Sequence, residues 1–64
     1  MKNLIIDSAT DRVFFKIIAG NKSYTSDYPN SRENFDKLII FLFNFLDENK
    51  ININEIDNIF VNQG

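Results

Sequence analysis

Asn58-Ile59-Phe60-Val61-Asn62 decides the fold of this chain. Three apolar residues bounded by asparagines read as a short strand, too brief for a helix. An equally short run near the start, Leu4-Ile5-Ile6 ending in Asp7, fits a strand buried on both faces. Between the two runs lies a long helical pattern. Two parallel strands joined through a helix form the right-handed crossover that such pairing requires. Residues 58–62 are therefore expected beside residues 3–7.

Working outward, the helical stretch opens at Pro29-Asn30-Ser31. Ser31 is the expected N-cap, Asn34 an imperfect capping-box partner, and Glu33 sits in the electropositive first turn. The pattern runs to Glu48 or Asn49. Phe35, Leu38, Ile39, Leu42, Phe45 and Leu46 fall on one stripe that a sheet would cover. Between Asp7 and Pro29 the chain reads as two hairpins. Arg12 to Ala19 is β-rich, Ala19-Gly20-Asn21-Lys22 is a turn, and Ser23 to Tyr28 is a weaker, edge-like strand closed by proline. A short turn, Asn54 to Asp57, precedes the last strand. The expected fold class is α/β: a β-β-β-α-β unit with mixed sheet order 3-2-1-4 and one helix on one face. The other face of that sheet is expected to be bare, so residues 1–64 read as the N-terminal part of one larger domain whose remainder is missing.

Composition narrows the chemistry. The 64 residues contain no cysteine and no histidine, so disulfides, thiolate or imidazole metal sites and the usual nucleophile–base pairs have no side chains to use. A net charge of −2, with seven scattered Lys and Arg, argues against a nucleic-acid surface. The longest apolar run, Leu38 to Phe43, falls far short of the roughly 20 residues that cross a bilayer. No membrane association, no cofactor, no metal and no catalytic residue is expected, and the setting is expected to be cytoplasmic. A chain of this size buries only about 60% of the surface exposed when unfolded. A partner, or more chain, is the expected source of added stability.

Two features invite a functional reading. Asp7-Ser8-Ala9-Thr10-Asp11 joins two strands, and an acid followed by hydroxyls in such a turn is one way to hold hydrated magnesium and phosphate. The same residues serve equally to satisfy turn amides, and the glycine that lets a phosphate approach backbone is absent. Asp7, Ser8 and Thr10 are therefore candidates for a vestigial phosphate-loop-like turn. The helix carries Ile40, Phe41 and Phe43 beyond its core stripe. Either a second helix of an intact domain covers them, or they form a protein interface.

Taken in order, these segments resemble the amino terminus of the TsaB (YeaZ) family of the actin-like ATPase (ASKHA) superfamily, with its RNase H-like core. The resemblance rests on Met1-Lys2, the strand ending Ile6-Asp7, the turn Ser8-Ala9-Thr10-Asp11, the hairpin, the helix over Asn34 to Asn49, and Ile53 to Val61. Gly64 would be the first glycine of the family's glycine-rich loop. The helix start, Ser31-Arg32-Glu33-Asn34-Phe35, departs from the charged, His-containing stretch usual there, and the helix is more aromatic. The resemblance implies a non-catalytic subunit in making threonylcarbamoyladenosine at tRNA position 37. Its partners would be a catalytic TsaD-like paralogue and a TsaE-like ATPase, with a homodimer as substitute and tRNA met only through the complex. The other reading within the superfamily is a fragment of a sugar or acyl-phosphate kinase, with Asp7 organising magnesium. A third is a bare interaction module.

Overall fold

Leu4, Val13, Phe15 and Ile17 are almost wholly buried, and their alternation along two neighbouring strands defines the covered face of a sheet. The structure, a computed structural model, describes residues 1–8, 11–29 and 36–62. Among these, β1 is Lys2–Asp7, β2 Arg12–Ala19, β3 Lys22–Pro29, α1 Leu38–Glu48 and β4 Asn58–Asn62, with a 3-10 turn at Ile53–Glu55. The four-stranded sheet has order β3-β2-β1-β4. β1 and β2 pair antiparallel, as do β2 and β3, while β4 lies parallel to β1 with Leu4 beside Ile59 and Ile6 beside Val61. The expected topology is thus the observed one.

The hairpin between β2 and β3 turns on Gly20 and Asn21, with Ala19 paired to Lys22. Gly20 has φ +64, and a positive φ at the first central position is what a type II′ turn asks for. The helix packs Leu42, Phe45 and Leu46 on the sheet, Phe45 stacking on Phe15 with centroids 5.8 Å apart.

The sequence placed one continuous helix from Ser31, but among the described residues α1 starts at Leu38. Lys37, at φ −101 and ψ 13, stands outside helical geometry and no side chain caps it. Ser31, Glu33, Asn34 and Phe35 lie outside the described residues. The helix end is a complete Schellman motif. The Ile51 amide donates to Leu46 O (2.9 Å) and the Lys50 amide to Asp47 O (3.0 Å), with Lys50 itself at φ 56. Ile51 is thereby folded back into the core.

The parallel register is set by Asp57. Its amide donates to Lys2 O and its carboxylate accepts from the Lys2 amide, both at 2.8 Å. Beside it, Asn52 caps the 3-10 turn: its Oδ1 accepts from the Asn54 amide, and its own amide donates to Glu55 Oε2. Lys2 Nζ reaches Glu55 Oε1 at 3.3 Å.

Candidate protein-binding surface

At about 100° per residue, the buried positions Leu42, Phe45 and Leu46 fix which way α1 faces the sheet. Phe41 lies on one flank and stacks on Tyr28 of β3, with ring centroids 4.4 Å apart and planes 12° from parallel. That contact turns this flank toward β3. Ile39 and Phe43 lie on the opposite flank, toward β4, and Ile40 points away from the sheet. Ile39 is 62% exposed, Ile40 59% and Phe43 46%.

The expected interface trio is therefore divided. Ile40 and Phe43 stand open on the surface, whereas Phe41 is half-buried against Tyr28 and the core. Ile39, placed by the sequence in the covered stripe, is instead exposed. The physical reason is the Phe41–Tyr28 stack, which sets the helix toward β3, so its other flank stays exposed. Helical spacing alone gives the stripe but not which edge of it the sheet reaches.

β4 continues this apolar surface. Ile59 and Val61, paired with Leu4 and Ile6, share the helix-bearing face, and Phe60 shares the other face with Ile5. Each of the three is more than half exposed. The second face also carries half-buried Phe14 and Ile18, with the Arg12–Asp27 ion pair at its margin (2.6 Å). Among the described residues no second layer lies over that face.

Asp7 ends β1 on this second face, flanked by Phe14 of β2 and Asn62 of β4. The Ser8 amide donates to Asn62 O at 2.9 Å, so part of this turn is spent on closing the sheet end. Thr10 lies outside the described residues. Among the described residues no group of three acidic, histidine or cysteine side chains is placed to hold a metal, and no pocket forms.

No family model matches the sequence, and no curated protein matches it. Solved structures do share its fold. YeaZ from Pseudomonas aeruginosa superposes with a TM-score of 0.83 at 17% identity, covering 98% of this chain and 30% of that one. An uncharacterized protein with similarity to peptidase YEAZ from Pseudomonas aeruginosa gives 0.84, again at 17% identity, covering 98% of this chain and 29% of its own. At that identity the likeness is one of fold. This chain spans less than a third of the length of either protein.

Proposed function

We propose that this chain is a non-catalytic interaction module of TsaB type, docking through α1 onto a TsaD-like paralogue that makes threonylcarbamoyladenosine at position 37 of tRNA. The observation that carries the reading is the exposure of Ile40 and Phe43 on α1, in a unit that superposes over 98% of its length on YeaZ. Exposed aromatic and aliphatic side chains on one helix are the usual anchors of a protein contact. A TsaE-like ATPase joins the same assembly under this reading, tRNA is met only through the complex, and the setting is cytoplasmic. The chain has no histidine or cysteine, so it cannot itself supply a Ser–His or Cys–His pair for peptidase chemistry.

The test is binding of the purified chain to a TsaD-like paralogue, measured by titration calorimetry. Micromolar binding is expected, weakened at least tenfold by Ile40→Ser with Phe43→Ser. Unchanged binding by the double variant would move the contact elsewhere. Magnesium–ATP offered to the chain alone is expected to give no heat. Micromolar nucleotide affinity lost in Asp7→Ala would favour the kinase reading.

A further inference from the structure

Successive turns of α1 are gripped by different strands. Phe41 and Phe45 stand four residues apart and so share one side of the helix. Phe45 stacks on Phe15 of β2, whereas Phe41 stacks on Tyr28 of β3. Tyr28 in turn meets Phe15 edge to face, with ring centroids 6.0 Å apart and planes at 65°. The four rings make a run that leaves the helix at Phe45 and returns to it at Phe41. Its Phe15–Phe45 half is sealed in the core, and its Tyr28–Phe41 half is only half-buried.

The two ends of the helix are held unequally. The last turn is closed by the Schellman bonds and anchored by buried Leu46 and Ile51. The first turn, Leu38 to Phe41, has no side-chain cap and no acidic residue to complement the helix dipole. None of its four side chains is fully buried, and its hold on the core runs through Leu38 and Phe41. Ile40, on which the proposed docking depends, belongs to this weakly held turn. We propose that Tyr28 is a positioning residue for docking: its ring, acting through Phe41, keeps the first turn of α1 on the sheet and so fixes where Ile40 is presented. The inference rests on the docking reading above and adds to it a residue on a different element. Without the ring, the first turn exchanges between docked and frayed states, while Leu42, Phe45 and Leu46 keep the rest of α1 in place. A partner that reads Ile40 binds the docked fraction only, and its apparent affinity falls by that fraction.

Tyr28→Leu removes the ring and keeps an apolar side chain, whereas Tyr28→Phe keeps the ring. Hydrogen exchange on the purified chain tests the positioning with no partner present. The Phe41 amide, which donates to Lys37 O at 3.0 Å, reports on the first turn, and the Ile51 amide, which donates to Leu46 O, on the far end. In Tyr28→Leu the Phe41 amide should exchange about tenfold faster relative to Ile51. Tyr28→Phe should match the wild type, and Phe41→Leu, which removes the other ring, should speed the amide of residue 41 in the same way. Equal acceleration at both amides, the mark of a ring that merely supports the fold, overturns the proposal. So does a Phe41 amide that Tyr28→Leu leaves unchanged. In calorimetry with the TsaD-like paralogue, Tyr28→Leu should bind about tenfold more weakly and Tyr28→Phe as the wild type does. Wild-type affinity in a Tyr28→Leu chain whose Phe41 amide is loosened overturns the link between ring and docking. A wild-type chain that does not bind the paralogue overturns the docking reading instead, and the exchange comparison still decides whether Tyr28 holds the turn.

Discussion

Lys50 occupies the left-handed position that ends α1, where glycine is the residue of choice. A side chain there costs about 1–2 kcal/mol in backbone sterics. Lys50→Gly is expected to raise the thermal midpoint, with a gain of up to about 1 kcal/mol once the unfolded chain's added freedom is counted. Gly20, at φ +64, predicts the opposite sign: Gly20→Ala meets no neighbouring atom, yet should destabilise through backbone strain alone. Glu55 offers a pH readout. The Asn52 amide that its carboxylate accepts, and secondarily the Lys2 ammonium, lower its pKa from the ordinary carboxylate value. Because the folded value is depressed, the stabilisation is complete above the ordinary value and fades as pH falls through the folded one. A carboxylate-resolved NMR titration should place Glu55 below the ordinary glutamate value, and Lys2→Met should recover only part of the shift. The Lys50 conformation was not legible in the sequence, because no glycine marks the helix end and Asn49-Lys50-Ile51 carries no turn signature of its own. The Gly20 turn was legible, because glycine beside asparagine between two β-rich runs leaves few other conformations.

At the scale of elements, two of the three phenylalanines of α1 lie only two residues apart and have opposite fates. Phe45 is 1% exposed and stacked on Phe15, while Phe43 is nearly half exposed. Phe45→Ala should cost about 3–5 kcal/mol. For a domain of this length total stability is only about 3–10 kcal/mol, so that variant should be largely unfolded by circular dichroism at room temperature. Phe43→Ala should cost about 1 kcal/mol or less and leave the spectrum folded. Strand boundaries were well read from the sequence, β2 and β4 to the residue, because β-rich runs there end abruptly at turn formers. The face of α1 was read less well. Ile39 and Phe41 sit on opposite margins of the stripe, and only the ring of Tyr28, contributed by another element, decides which margin is covered.

At the scale of the molecule, the sheet order followed from three local facts: two hairpins, one helical crossover and one apolar run able to lie beside β1. What did not follow was how little of β4 the helix shelters. The core gathers over β1 and β2 with Tyr24 and Tyr28 at its β3 margin, so the sheet is covered asymmetrically. The candidate surface was half legible: an excess of apolar residues on the helix announces a contact, but the matching exposure of Ile59 and Val61 depends on where the helix lies.

The clamp between Asp57 and Lys2 has a consequence for how the protein emerges during synthesis. β1 leaves the ribosome first and can close with β2 and β3 through nearby contacts, yet its other edge must wait for a residue 55 positions later. Until then Leu4 and Ile6 lie beside an unoccupied edge, and a long loop must close before the parallel pairing contributes anything. The central strand is therefore made well before the strand that completes its second edge. Over that interval the nascent chain exposes a strand edge that any extended segment nearby can join.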